Sequence, residues 1–341
     1  GGANVSSGWR SMFFNTTGAR NTATGYQALY SNTTASYNTA IGKDSLKATT
    51  TGQSNSGLGY KSMEANTTGG SNTALGYYAL SANTTAGNNV AVGADALALN
   101  TTGASNVAMG ASALDANTTG SSNVAIGWNS MTSNTTASEN TAVGQSSLGL
   151  NTTGANNSAF GKGALGANTT GIENVAVGSY ALDANTTGAS NIAMGYNALG
   201  SVTTASYNVG IGQSAGGAIT TGTKNVFMGF AAGDATTTAS NNIAVGYDAL
   251  TANTTGYGNT AVGKDAMRLN TTGYYNSAYG YQALESNTTG LSNTAIGRNT
   301  LYANTTASSN SALGYNALSA NTTGSSNTAV GYISLSANTT G

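Results

Sequence analysis

The sequence predicts an all-β fold, a parallel β-solenoid or β-roll of twenty 17-residue coils. Three observations predict it. Asn recurs every 17 residues from Asn4 through Asn21, Asn38, Asn55 and Asn72 to Asn327, so twenty units fill residues 4–341 without insertion or deletion. A fixed period in this range marks a stacked repeat array. Counting each unit from its Asn, position 5 is Gly and positions 13 and 14 are Thr-Thr in all twenty. Finally, the chain is poor in large apolar residues yet carries a net charge of −1 and no Pro. That combination fits neither a globular core nor a disordered chain, whereas a narrow coil buries a few small side chains per turn.

The first element of each unit is a short strand. Position 2 is Val, Ile or Thr in 16 units and Ser at Ser56, Ser158, Ser277 and Ser311. Position 3 is Ala in 16 units, and position 4 is large and apolar except at Ser7 and Thr24. A β-branched run closed by Gly reads as a strand ended by a turn. Because position 3 opposes 2 and 4 yet is small rather than charged, the strand is expected to be covered on both faces. The larger residues would enter one layer, and Ala would pack against the same coil or a neighbouring chain.

Positions 6–11 follow the pattern YxALxA, as in residues 315–320. Their residue types permit one helical turn, so strand plus helical turn is an alternative coil. Strand spacing of about 4.8 Å against a helix width of about 10 Å favours a second short extended segment. All 21 charged residues occupy positions 6, 7, 10 or 17, for instance Lys43, Asp44, Lys47, Glu173, Asp183 and Lys224. These positions are therefore expected to face water.

Residues 4–341 read as a single array with no separate domain, and units 4–20 and 202–236 are atypical. The first carries Ser6, Ser7, Phe13 and Phe14. In the second, Val202, Ile219 and Thr236 replace Asn at position 12, and Gly216 and Gly233 replace Leu at position 9. Phe227, at an Ala position, is expected to fill volume those leucines would occupy. Neither end has the distinct cap a solenoid needs, so an excerpt of a longer array is expected, with strand edges open to end-to-end growth.

With no His and no Cys there is no imidazole base or thiolate, and the carboxylates never recur as a pair. The phosphate-loop and calcium-nonapeptide motifs are absent. The reading is no enzyme, no cofactor and no metal. Near-zero charge argues against nucleic acid as a partner, and no apolar run is long enough to span a membrane.

Three recurring features are candidate sites. Asn-Thr-Thr at positions 12–14 is an N-glycosylation sequon in 16 units: Asn15, Asn32, Asn66, Asn83, Asn100, Asn117, Asn134, Asn151, Asn168, Asn185, Asn253, Asn270, Asn287, Asn304, Asn321 and Asn338. Against a glycan, the Thr pair persists where Asn is lost, as at Thr49 and Val202, so Asn-Thr-Thr also reads as a turn with hydrogen-bonding ladders. The opening Asn is expected to sit in a left-handed turn and to bond in a column of stacked amides. Position 6 is aromatic at Trp9, Tyr26, Tyr60, Tyr77, Trp128, Tyr196, Phe230, Tyr247, Tyr281, Tyr315 and Tyr332, a column that either contacts sugars or stacks on itself. Thr-Thr presents one ordered column rather than two, which makes ice binding a minor alternative.

NTAIG (38–42), NVAVG (89–93) and NVAIG (123–127) resemble the head repeats of YadA-type trimeric adhesins. GYQALYSNTTASYNTAIG (25–42) is similar to repeats of phage and bacterial tail fibres of the endosialidase-chaperone type. The adhesin repeat is typically shorter than 17 residues. The resemblance implies a fibrous homotrimer of parallel β-rolls on a cell or virion surface. The expected function is a structural shaft or filament built by association with copies of itself. The alternative is an extracellular adhesin that binds glycans or surfaces through the aromatic column.

Overall fold

The structure, a computed structural model, describes residues 2–341. Among these residues there are twenty three-residue strands and no helix. The chain divides into two compact units, Gly1–Ile172 and Glu173–Gly341. The first holds ten strands from β1 (Val5–Ser7) to β10 (Ser158–Phe160), including β7 (Val107–Met109) and β8 (Val124–Ile126). The second holds ten from β11 (Val175–Val177) to β20 (Thr328–Val330). Within each unit every strand pairs in parallel with its successor, offset by one repeat, as in Val107↔Val124 and Ile192↔Val209. The predicted β-solenoid is the fold observed.

The strand faces are the reverse of a two-sided burial. Position 3 points into the coil: Ala108, Ala125 and Ala193 are fully buried. Positions 2 and 4 point outward, and among the described residues they are half-buried or exposed, never fully buried. Ile41, Leu58, Leu75, Met109, Ile126 and Phe160 in the first unit are each 37–43% exposed. The core behind the strand is filled by Ala at positions 3 and 8 and Leu or Met at position 9, for example Ala108, Ala113 and Leu114. With three apolar residues already inside a coil of 17, no volume remains for position 4.

Positions 6–11 form neither an extended segment nor a helical turn. Residues at positions 7 and 9 are left-handed, as in Ser112 (φ 53°) and Leu114 (φ 55°). Alternating hands flip successive peptide planes, so backbone groups lie along the stacking axis. Ser112 N–H donates to Ala94 O on one neighbouring coil, while Leu114 N–H donates to Ser130 O on the other. Hydrogen bonds between coils therefore continue through the turns, which supplies partners for polar backbone that would otherwise be buried unpaired.

The invariant Gly follows from the same geometry. Gly110 has φ 137°, and a Cβ there would lie 2.6 Å from Gly127 O on the next coil. Only Gly tolerates both conditions. Phe227 is fully buried, and Cβ atoms at Gly216 and Gly233 would lie 2.8 and 2.6 Å from its ring. The expected exchange of leucine volume for one ring is what the structure shows.

Candidate functional site

Two asparagine ladders close the coils, the second only where position 12 is Asn. At position 1, Asn123 N–H donates to Asn106 Oδ1 (2.9 Å), and Asn106 Nδ2 donates to Gly120 O across its own coil (2.9 Å). The opening Asn is thus a staple within and between coils. It is not left-handed; the left-handed sites are positions 7, 9 and 17, such as Ser105 (φ 60°). A sequence signal for them exists: positions 7, 9 and 17 hold no Val, Ile or Thr except Ile333 in the last coil. β-Branched side chains resist φ > 0.

The sequon asparagines form the second ladder. Asn32, Asn66, Asn83, Asn100, Asn117, Asn134, Asn151, Asn168, Asn185, Asn253, Asn270, Asn287, Asn304 and Asn321 are fully buried, while Asn15 and Asn338 are partly exposed. Asn134 Nδ2 donates to Asn117 Oδ1 (2.9 Å) and to Ala137 O (3.1 Å). A sugar on that nitrogen would remove at least one of these bonds and would have no path to solvent. The ladder stops where the sequence interrupts it: above Asn32 stands Thr49, and Asn32 Oδ1 is buried without a hydrogen-bond partner. Thr at position 13 forms a third ladder, for instance Thr118 Oγ1 to Thr135 O at 3.1 Å. Thr at position 14 stands exposed as a single column.

The position-6 aromatics are outside. Trp9, Tyr26, Tyr77, Trp128, Tyr196, Phe230, Tyr247, Tyr281, Tyr315 and Tyr332 are exposed, and Tyr60 is half-buried. Neighbouring rings stack: Trp9–Tyr26 at 4.9 Å, Tyr60–Tyr77 at 5.5 Å, Phe230–Tyr247 at 5.1 Å and Tyr315–Tyr332 at 5.3 Å between centroids. Where a cation interrupts, it lies between rings: Lys43 is 5.5 and 5.7 Å from Tyr26 and Tyr60, and Arg298 is 5.5 and 5.8 Å from Tyr281 and Tyr315. Such contacts are each worth about 0.5–1 kcal/mol at exposed sites. They also occupy the ring faces that a sugar would use. Trp128 is the contrast, since Ala111 and Gln145 flank it in the column.

Two of the charges expected in water are buried. Glu285 is 4% exposed and accepts from Arg268 Nε and Nη2 at 2.9 and 2.7 Å; Asp44 is 5% exposed, with Lys47 Nζ 3.3 Å away. The Glu285 hydrogen bond raises the Arg268 pKa. Burial raises the carboxyls of Asp115, Asp183, Asp234 and Asp248 above the ordinary aspartate value. Among the described residues no group of His, Cys, Asp or Glu is arranged to hold a metal, and no helix is long and apolar enough to cross a membrane.

Comparison with protein-family models and with curated proteins finds no match to this chain.

Proposed function

We propose that this chain is a structural segment of a fibre on a cell or virion exterior, assembled by packing its bare sheet face against further copies of itself. The observation that carries this reading is the outward row of positions 2 and 4. In the second unit Ile192, Met194, Met228, Ile243, Tyr279 and Ile296 continue the pattern at 38–43% exposure. A contiguous apolar patch beyond a few hundred Å² marks an interaction surface. The occupant is a second copy because the face repeats at one strand spacing, and an identical face has the same period and no charge to oppose. The resemblance to trimeric adhesin and tail-fibre repeats supports the same reading, with a homotrimer as the expected assembly.

Sedimentation velocity of the chain tests it. The expected result is a discrete oligomer that dissociates when Met109, Ile126 and Met194 are changed to Lys. A monomer at all concentrations, with or without these changes, would remove the proposal.

The runner-up is an adhesin that touches its target through position 6. Exposed rings without a stacked neighbour in the column support it at Trp128 and Tyr196, but stacked rings or intervening cations count against it at the other position-6 aromatics. Loss of surface or glycan binding in Trp128→Ala, with oligomerisation intact, would favour it. The single exposed Thr column supports ice binding less well, and thermal hysteresis tests it.

A further inference from the structure

Two successive coils of the second unit, those carrying β15 (Ile243–Val245) and β16 (Thr260–Val262), bring three tyrosines together. Tyr257 and Tyr274 occupy position 16, and Tyr275 occupies position 17.

The repeat sets these rings in register. Tyr275 N–H donates to Tyr257 O at 3.1 Å, as Gly258 N–H does to Ser240 O at 3.2 Å, so successive coils are fixed here. The Tyr257 and Tyr274 rings stack with centroids 4.9 Å apart and planes inclined by 4°. That separation is close to one strand spacing, about 4.8 Å, so the two phenols are copies of each other moved along by one coil. Tyr275 stands edge-on to both, at 5.1 and 5.4 Å. Its place is made by a departure from the repeat: Gly258 is the one glycine at position 17, and a Cβ there would lie 2.7 Å from the Tyr275 ring. The cluster is open to reagents, with Tyr257 41% and Tyr275 59% exposed and Tyr274 half-buried.

The chain has no Cys, so disulfides cannot tie coil to coil, and an oxidative link falls to the phenols. A phenol that loses one electron and its hydroxyl proton becomes a phenoxyl radical, with unpaired spin on the ring carbons beside the oxygen. Two such radicals join through those carbons. Tyr257 and Tyr274 hold the matching carbons one coil apart, and Tyr275 closes one side of the pair.

We propose that Tyr257 and Tyr274 are the site of a dityrosine bond between neighbouring coils, made by a haem peroxidase with hydrogen peroxide. The peroxide takes two electrons and two protons from the two phenols and leaves as two waters. The ortho carbons bond, and the hydrogens they carried move to the oxygens and restore both phenols. The product ties one coil to the next and limits the opened chain as a disulfide does. Tyr60, Tyr77 and Tyr78 form a similar trio in the first unit, with Tyr60 and Tyr77 stacked at 5.5 Å. There Lys61 Nζ lies 5.8 and 5.5 Å from the Tyr60 and Tyr78 rings, and a cation opposes removal of an electron. The Tyr257–Tyr274 pair therefore reacts first. The link does not involve the sheet face, so its failure leaves the assembly proposal standing, and the reverse also holds.

The test treats the full chain with a haem peroxidase and limiting hydrogen peroxide, then reads dityrosine fluorescence and sequences the linked peptides by mass spectrometry. The expected first product is a single chain lighter by two hydrogens, with the peptides of Tyr257 and Tyr274 joined. Tyr257→Phe and Tyr274→Phe keep the ring stack and should each lose this product. Tyr275→Phe should retain it, as should Tyr207→Phe at an exposed ring outside the cluster. Circular dichroism on each variant shows that the fold is kept. The linked chain should also melt at a higher temperature than the untreated chain. No dityrosine, dityrosine only between chains, earlier linkage at other tyrosines, a product undiminished in Tyr257→Phe, or a linked chain that melts no higher would overturn the assignment.

Discussion

Asn117 Nδ2 donates to Asn100 Oδ1 at 2.8 Å and to the carbonyl of Gly120 at 2.9 Å. Both amide protons are committed inside a coil where Asn117 is fully buried. The Asn-Thr-Thr text that reads as a glycan acceptor is, in the folded chain, a bond between neighbouring turns.

Replacing Asn117 by Ala is expected to cost about 1–3 kcal/mol, because the Gly120 carbonyl and the neighbouring amide lose their partner. Repeat arrays open locally, so amide hydrogen exchange over residues 100–134 is the measurement, with faster exchange there than in distant coils. Intact mass of the folded protein should give unmodified asparagine at this site.

Gly110→Ala introduces a Cβ 2.6 Å from Gly127 O at a φ of 137°. Such backbone strain costs roughly 1–3 kcal/mol before the steric clash is counted. Limited proteolysis should cut first near this coil. Thr102→Ala, at the exposed position 14, should leave the cleavage pattern unchanged.

Phe227→Ala should lose about 3–5 kcal/mol through the cavity left behind. The structure also names the repair. Leu occupies position 9 in ordinary coils at φ near 50°, and Gly233 has φ 61°. Gly233→Leu is therefore expected to destabilise the native chain by collision with the ring but to rescue Phe227→Ala. Thermal denaturation of the double-mutant cycle measures this, and simple additivity would contradict it.

Asp115 has a raised pKa, caused first by burial and then by the charge of Asp95. A raised carboxyl contributes stability below the ordinary aspartate pKa and loses it as pH rises through the folded value. Asp115→Asn should accordingly raise the melting temperature at neutral pH. The gain should vanish at pH well below the ordinary aspartate range, where both forms are uncharged.

Much of this architecture was legible because the repeat removes ambiguity. Val107–Met109 and its counterparts are strands where the β-branched run ends in Gly, and Phe227 could be matched to Gly216 and Gly233 by volume alone. Which face of the strand turns inward was not legible. Ala108 and Met109 are both apolar, and only the packing of Ala113 and Leu114 decides which is inside. Nor were the left-handed turns, although the missing β-branched residues at positions 7, 9 and 17 mark them. The burial of Glu285 depends on Arg268, exactly one repeat earlier, a pairing that charge position alone leaves unstated.

The Phe227 arrangement bears on how such a chain finds its alignment while folding. Coils of near-identical text can dock one turn too early or too late at little energetic penalty, which invites misassembled intermediates. A ring that fits only against Gly216 and Gly233 rejects those slipped alternatives. A single irregular turn can thus act as a key that tells the uniform ones where to settle.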